Sequence, residues 1–251
     1  MFAQERQNAI KKIVRERRRL NFAALQKLIG VSPATLRRDL TDLENSGEIV
    51  RVHGGVMDPG FVRSEISFDE RVLHHHAAKK AIAVRANSLI PAGASVFVDA
   101  GSTCLEAGKI LLSRKDIRII THSVALIAIS LHGQAELVSL GGALRRVSGA
   151  LVGGAALGAL LHIHADYALI GASGMNIEGC STTELSEAEM KRAILARSAR
   201  KILLADSSKW QEPSTISFAK WAEVTDWVTE KKLSLEDEKF MQTSEVELCF
   251  A

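Results

Sequence analysis

Residues 32–45 read SPATLRRDLTDLEN and combine the start signal of a helix with an amphipathic repeat. Ser32 can cap the free amides of the first turn, and Pro33 suits the first helical position. Leucines then follow at spacings of four and three, which places them on one face: Leu36, Leu40 and Leu43. The segment is therefore predicted to be a helix that buries one side and leaves the other free.

The free side of this helix carries small and basic residues near its amino end: Ala34, Thr35, Arg37 and Arg38. A recognition helix of the helix-turn-helix type presents such side chains to base edges and phosphates. With Ser32 at the cap, these residues are predicted to contact DNA. An ordinary three-helix module with solvated arginines is the alternative, because charged helix faces are often only exposed surface.

The neighbouring segments fit a DNA-binding module. Residues 4–19 form an amphipathic supporting helix, and Asn21 can cap a short helix that Gly30 ends with a tight turn. After the recognition helix, residues 48–55 (EIVRVHGG) alternate like a strand and are predicted to form a wing. We therefore predict a winged helix-turn-helix domain over residues 1–56.

Charge is distributed unevenly along the chain. Residues 1–55 hold 11 of the 32 Lys and Arg and 6 of the 29 Asp and Glu, which gives this part a net charge of +5, whereas the remainder carries −2. A basic module is attracted to phosphates through counterion release, and an acidic remainder is repelled by them. The second part is therefore expected to do something other than bind DNA.

Composition narrows the class of protein further. The start, MFAQERQ, lacks the apolar core of a signal peptide, and the sequence shows no membrane span. The three cysteines are scattered without a CxxC pair, which predicts neither disulfides nor a zinc site. The histidines at 74–76 are predicted to be surface residues rather than metal ligands. We expect a cytoplasmic protein without metal or cofactor and without membrane association.

The second part of the chain alternates between β-rich runs and helical segments. Residues 57–75 are predicted to be a linker, with helical periodicity from 69 to 90, and residues 76–232 an α/β domain built on a doubly wound, largely parallel sheet. Helices are expected at 103–112, 124–130, 150–161 and 184–199. Residues 233–251 are a tail that is either a loose extension or an added strand.

Ligands of such sheets bind beyond the carboxyl ends of the strands. In this chain nearly every predicted strand end carries glycine, hydroxyl or charged residues: Asp99, Gly101, Ser102, Thr103, Thr121, Ser123, Gly141, Gly142, Gly171, Ser173, Asp206 and Lys209. Ser102 and Thr103 start a helix and suit a phosphate, whereas Asp99 could accept hydrogen bonds from sugar hydroxyls. Lys79 could add a second positive charge beside Lys209. Each feature alone is also typical of a cap or turn.

Several of these segments together resemble a known protein family. The segments VSPATLRRDLTDLENSGEIVRVHGG, KKAIA, VDAGST, GASGM and ADSSKW are similar to the DeoR family of bacterial transcriptional regulators, over about residues 4–229. The resemblance implies a winged helix that binds operators, usually to repress sugar catabolism. It also implies a sensor domain that resembles sugar-phosphate isomerases and binds a phosphorylated sugar.

Carried over by position, the resemblance implies two groups of site residues. Those facing DNA are Ser32, Thr35, Arg37 and Arg38, with Arg51 and His53 on the wing. Those lining the effector site are Lys79, Asp99, Gly101, Ser102, Thr103, Asp206 and Lys209. The chain departs from its relatives at Thr121 and His122, where they usually have Thr-Asn.

The resulting hypothesis is a DNA-binding regulator, in the first instance a repressor of a carbohydrate-catabolic operon. Its partners would be double-stranded operator DNA, a phosphorylated sugar and further copies of itself, as a homodimer or homotetramer. One alternative is a sugar-phosphate isomerase-like enzyme with an attached DNA-binding module, which would use Asp99, Glu184, Asp206 or Lys209 as acid and base. A third possibility is an architectural nucleic-acid binder without any ligand.

Overall fold

The computed structural model describes residues 3–17, 19–52, 55–58 and 67–251. The chain divides into two compact units, Met1–Glu65 and Ile66–Ala251. The predicted contact at His53 lies outside the described residues. Among the described helices, none is long and apolar enough to cross a membrane.

The first unit contains three helices and a small sheet: α1 (Ala3–Arg17), β1 (Arg19–Asn21), α2 (Phe22–Ile29), α3 (Pro33–Asn45), β2 (Val50–Val52) and β3 (Gly55–Met57). One face of each helix packs into a common core, which includes Ile10, Val14, Leu25, Leu36, Leu40 and Leu43. The predicted recognition helix and wing are therefore confirmed as elements of this fold.

Local signals set the ends of these helices. The Asn21 side chain accepts a hydrogen bond from the Ala24 amide at 2.7 Å, and Gly30 has a φ of 71°, which favours glycine. The Ser32 side chain accepts from the Thr35 amide at 3.2 Å. The predicted caps at Asn21, Gly30 and Ser32 are all present.

The first helix was expected to extend through Arg19, which is wrong. Residues Arg19–Asn21 instead pair antiparallel with Gly55–Met57, and the sheet order is β1-β3-β2. A Cβ atom on Gly55 would lie 2.2 Å from the Leu20 carbonyl oxygen, so the close pairing requires glycine at that position. The pattern did not reveal β1 because a three-residue strand has no periodicity of its own.

A partly buried ion pair joins α1 to α3. Asp39 is 2% exposed, and its Oδ1 accepts a hydrogen bond from Arg6 Nη2 at 2.9 Å. A charged residue on the apolar face of α3 was not expected, because the helix was assigned a leucine face. Its partner lies 33 residues away in sequence, so the pairing could only be seen in the fold.

The second unit begins with two helices and then alternates between strands and helices. The first half contains α4 (Phe68–Leu73), α5 (His76–Ser88), β4 (Ser95–Val98), α6 (Ser102–Leu112), β5 (Arg118–Thr121), α7 (Val124–Ser130), β6 (Glu136–Ser139), β7 (Ala143–Arg145), β8 (Ala150–Val152) and α8 (Gly154–Leu160). The second half contains β9 (Ala165–Gly171), β10 (Gly174–Asn176), β11 (Gly179–Thr182), α9 (Leu185–Ala196), β12 (Ser198–Leu204), β13 (Ile216–Ala219), β14 (Asp226–Thr229), α10 (Leu235–Thr243) and β15 (Glu247–Phe250).

The central sheet has the strand order β15-β14-β12-β9-β4-β5-β6, and every described pairing within it is parallel. The predicted doubly wound parallel sheet is confirmed. Alternate residues of its strands enter two separate cores on opposite faces; Phe97 lies in one, and Val96 and Val98 lie in the other. Both faces are covered, which explains why the strands read as continuous apolar runs.

Three predicted helix boundaries need correction. Residues 150–152 form β8, which pairs antiparallel with β7, and the helix expected at 150–161 begins only at Gly154. The segment 69–90, which was predicted to be helical throughout, forms two helices, α4 and α5. The break lies at His75, which has a φ of 53°. The helix expected to reach residue 199 ends at Ala196, because Ser198 already pairs with β9. The tail left open by the sequence forms α10 and the seventh strand, β15.

Candidate functional site

The sheet order places a crevice at the carboxyl ends of β4 and β9. From β4 the chain winds outward through β5 and β6, and it then returns to β9 and winds outward on the other side. Neighbouring strands that lead away in opposite directions leave an opening where ligands of such sheets bind. Asp99 and Gly101 follow β4, and Gly171 ends β9, so three of the predicted site residues meet at this switch point.

Asp99 is occupied by protein partners. It is 2% exposed; its Oδ1 lies 3.0 Å from His122 Nε2, and its Oδ2 accepts hydrogen bonds from the Gly171 amide at 3.0 Å and from the Lys191 ammonium. Asp99 therefore positions a lysine and a histidine at the crevice, and its contact with sugar hydroxyls stays a prediction.

The charges of this cluster stabilise one another. Burial would raise the pKa of the Asp99 carboxyl, but the Lys191 ammonium and the His122 hydrogen bond outweigh it and hold the pKa well below its usual value. Burial would likewise lower the pKa of Lys191, but Asp99 and Glu187 raise it above its usual value. Asp99 and Lys191 therefore form a buried ion pair with both partners charged.

Helix α9 brings two residues that the sequence interpretation missed. Glu187 and Lys191 are each 6% exposed and lie four residues apart, on the same face of the helix. Glu187 accepts hydrogen bonds from Arg145 Nη1 at 2.9 Å and from Thr182 Oγ1 at 3.3 Å. The available signal was a Glu–Lys pair at a spacing of four among the buried positions Ala188, Met190, Ile194 and Leu195.

His122 connects the hairpin β7–β8 to the end of β4. Its Nδ1 lies 3.0 Å from the Leu151 carbonyl oxygen on β8, while its Nε2 faces Asp99. The Leu151 amide in turn donates to the His122 carbonyl at 2.8 Å. The His122 ring thus fixes the hairpin beside the crevice.

A second, positively charged cluster lies around Lys79, which is 4% exposed. Its Nζ donates to Ser102 Oγ at 2.9 Å and to the Arg71 carbonyl oxygen. Burial lowers the pKa of Lys79 to about 8; the charges of Lys209 and Arg71 act in the same direction, and Asp206 opposes them. These charges are close enough to interact. The fold therefore brings together four of the predicted site residues: Lys79, Ser102, Asp206 and Lys209.

The first-turn amides of α6 have no side-chain cap. Its cap residue is Gly101, so no side chain caps the first-turn amides of this 11-residue helix. Ser102 and Thr103, both 8% exposed, begin the helix beside Lys79. Asp206 caps its own turn by accepting from the Ser208 amide at 3.2 Å, and the Lys209 side chain has no hydrogen bond or ion pair to the residues described. Free amides and a free ammonium are the groups that bind phosphates.

The remaining predicted residues have mainly structural contacts. Thr121 Oγ1 donates to the Val98 carbonyl at 2.6 Å and accepts from the Ser123 amide at 3.0 Å, and Ser123 caps α7. Gly142 has a φ of 116°, and a Cβ there would lie 2.7 Å from the Val152 carbonyl oxygen. Gly141 also has a positive φ, of 67°, and the Ser173 amide donates to the Ser181 carbonyl at 2.9 Å.

The DNA-facing candidates on α3 differ in how free their side chains are. Ser32, Ala34, Arg37 and Arg38 are exposed, and Thr35 is half-buried. The Arg37 guanidinium lies 5.5 Å from the centre of the Phe22 ring, whereas Arg38 has no ion pair within the described part of the chain. Arg51 is directed back onto α3, where its Nη2 donates to the Arg37 carbonyl at 2.8 Å.

One group of side chains in the described structure has the composition of a metal site, namely Asp226, Glu247 and Cys249. However, Arg200 Nε donates to Asp226 Oδ2 at 2.9 Å, and its Nη2 lies 3.4 Å from Glu247 Oε2. Both carboxylates thus already contact the guanidinium of Arg200. The group joins β12, β14 and β15 as an ion-pair network.

Comparison with known proteins gives matches to both units. A model of the DeoR C-terminal sensor domain matches residues 74–231, and a DeoR-like helix-turn-helix model matches residues 6–58. The chain is 32% identical to the HTH-type transcriptional regulator GlpR of Haloferax volcanii, over 98% of this chain and 97% of that protein. It is 29% identical to the glycerol-3-phosphate regulon repressor of Haemophilus influenzae, over 87% and 86% of the two chains. A D-ribose-5-phosphate isomerase solved with phospho-erythronic acid superposes with a TM-score of 0.41 at 18% identity, covering 54% of each chain.

Proposed function

The chain belongs to the DeoR family of transcriptional regulators, and on this premise we propose that it represses a carbohydrate-catabolic operon under the control of a phosphorylated sugar. The family match and the names of the relatives speak for a regulator and against the enzyme alternative. Asp99 also makes a poor general base, because Lys191 and the Gly171 amide already donate to it and its pKa is lowered. A relative named as repressor of a glycerol-3-phosphate regulon supports both repression and a phosphorylated effector.

The observation that carries the proposal is the Lys79 cluster at the strand ends. Lys79, Lys209 and the uncapped start of α6 supply positive charge and unpaired donors, which suits a phosphoryl group. Asp206 beside them could accept a hydroxyl group of the sugar. Such a ligand would couple to operator affinity, and coupling energies of this kind are typically about 1–3 kcal/mol. We further propose that copies of the second unit pair, which would place two recognition helices on half-sites about one helical turn apart.

The test is a titration of the DNA upstream of its own gene, followed by fluorescence anisotropy at fixed salt. Glycerol 3-phosphate, ribose 5-phosphate and fructose 6-phosphate are added in parallel with the unphosphorylated compounds. We expect specific binding that at least one phosphate, but not its parent sugar, weakens several-fold. If binding is specific but no compound changes it, the proposed effector site is wrong. If the protein binds every DNA sequence alike, in a salt-sensitive way, the proposed regulator function is wrong.

The position of Lys79 predicts how anion binding depends on pH. Burial lowers the pKa of Lys79 to about 8, and a bound phosphate dianion would raise it again, so binding takes up a proton above that pH. We expect the affinity for inorganic phosphate to fall by up to about tenfold per pH unit above about pH 8. Titration calorimetry measures this. The Lys79→Gln variant should bind more weakly and lose this pH dependence, and a flat profile for the unmodified protein would contradict the assignment.

A further inference from the structure

Arg71 lies at the edge of the positively charged cluster, on the first helix after the residues that connect the two units. Helix α4 packs against α6, the helix whose first-turn amides have no side-chain cap. The Arg71 carbonyl oxygen accepts a hydrogen bond from the Lys79 ammonium, so the backbone of α4 contacts the cluster directly. Arg71 precedes the sheet, so the pattern of residues at strand ends does not point to it.

The Arg71 guanidinium is only partly satisfied. Its Nε and Nη2 atoms are buried and have no hydrogen-bond partner among the residues described. The Phe68 ring lies 5.9 Å from the guanidinium carbon, near the limit of a cation–π contact. Buried donors of a charged group are costly to leave unpaired, so a cation held this way indicates a missing anionic partner.

The charges of the cluster indicate the charge of that partner. Arg71, Lys79 and Lys209 are three cations, and Asp206 is the carboxylate that acts most strongly on Lys79. Glu106 also acts on Lys79, but Lys109 neutralises it at 2.6 Å. The cluster is therefore left with about two positive charges, which a phosphate monoester of charge about −1.5 to −2 would balance.

We propose that Arg71 binds the phosphoryl group of the effector and thereby links the ligand to the helix that leaves the connecting segment. This inference rests on the proposed function and adds a residue and a route of regulation to it. The phosphate oxygens would bridge the Arg71 guanidinium, the Lys79 ammonium and the amides of α6. Binding would then fix α4, whose Phe68 amide also donates to the Val147 carbonyl in the β7–β8 hairpin at 2.8 Å.

The experiment uses the full-length protein in phosphate-free buffer, with inorganic phosphate, sulfate and glycerol 3-phosphate as probes. Affinity is measured by titration calorimetry and thermal stability by tryptophan fluorescence. The variants are Arg71→Gln, Arg71→Lys and Lys209→Gln. The matched control is Arg118→Gln, which removes an exposed guanidinium on β5 that pairs with Glu136 at 3.0 Å.

We expect Arg71→Gln to weaken phosphate binding by about tenfold, which is the effect of one charge-assisted contact. Arg71→Lys should recover part of the affinity, and Arg118→Gln should bind normally. Without phosphate, Arg71→Gln should melt at the same temperature as the unmodified protein or higher, because an unpaired buried charge has been removed. A purely structural arginine would instead lower the melting temperature.

The outcomes separate this inference from the proposed function. If Lys209→Gln loses phosphate affinity and Arg71→Gln does not, the anion site stands and the role of Arg71 is wrong. If Arg71→Gln melts at a lower temperature and binds normally, another part of the chain satisfies the guanidinium. If the unmodified protein binds none of the three probes, both the effector site and this inference are overturned.

Discussion

Replacing Asp99 with asparagine is expected to destabilise the second unit by about 3–5 kcal/mol, the cost of leaving one partner of a buried ion pair alone. The substitution keeps the shape of the side chain but removes the negative charge that holds Lys191 and faces His122. All three tryptophans, at positions 210, 221 and 227, belong to this unit. Their fluorescence during urea denaturation therefore reports its unfolding separately from that of the first unit.

Two further variants isolate the cause. Adding Lys191→Met to Asp99→Asn removes the unpaired charge and should recover a large part of the lost stability. Asp166→Asn is the matched control, because that exposed carboxylate binds the Ser95 amide and hydroxyl at 2.8 and 2.7 Å at the opposite end of the sheet. Equal losses for Asp99→Asn and Asp166→Asn would show that Asp99 has no special role.

The Asp99–Lys191 ion pair also determines how the stability of the second unit depends on pH. The pKa of Asp99 is depressed in the folded protein, despite burial, by Lys191 and His122. Its contribution to stability is therefore fully present above the unfolded pKa of about 3.9 and is lost as the pH falls through the folded value. We expect Asp99→Asn to be less destabilising at about pH 9 than at neutral pH, because the unpaired Lys191 can then lose its proton more readily.

The second large effect concerns Arg38. This side chain is exposed on α3 and has no ion pair among the described residues, so it is free to reach DNA. Arg38→Gln is expected to weaken operator binding by about 1–3 kcal/mol per half-site if the guanidinium contacts a base edge. Anisotropy titrations at several salt concentrations, on the operator and on a scrambled sequence, measure the effect.

The salt dependence distinguishes the two kinds of contact. Loss of a phosphate contact weakens both DNAs and lowers the salt slope by about one, whereas loss of a base contact mainly affects the operator. Arg118→Gln, with the same change of charge in the second unit, should leave both affinities unchanged. If Arg38→Gln binds both DNAs like the unmodified protein, α3 does not read DNA through this residue.

The sequence was most informative where structure is set by near neighbours. The caps at Asn21 and Ser32 and the leucine spacing of α3 act within a few residues, so they were predicted correctly. The alternation of apolar runs and helices was sufficient to predict the parallel sheet, and the rule for strand ends selected Ser102, Asp206 and Lys209, which the fold places near Lys79. These parts follow from periodicity and topology alone.

What the sequence could not show depends on distant partners. Asp99 was selected from its place after β4, but its ion pair with Lys191 was not predicted, because that lysine lies on a helix 92 residues later. Residues 150–152 were assigned to a helix because a short apolar run is ambiguous between helix and strand, and only pairing with β7 decides it. The unpaired donors of Arg71 depend on which of its atoms the fold buries, and the sequence does not specify this.

Strand β15 determines how short a stable fragment of this protein can be. The match to the sensor-domain model stops at residue 231, but β15 covers the outer edge of β14, and Met241 and Cys249 fill the cores beneath it. A polypeptide cut at that match would make the buried strand β14 the edge of the sheet and would remove Met241 and Cys249 from the two cores. Residues 232–251 are therefore part of the folding unit of the second domain.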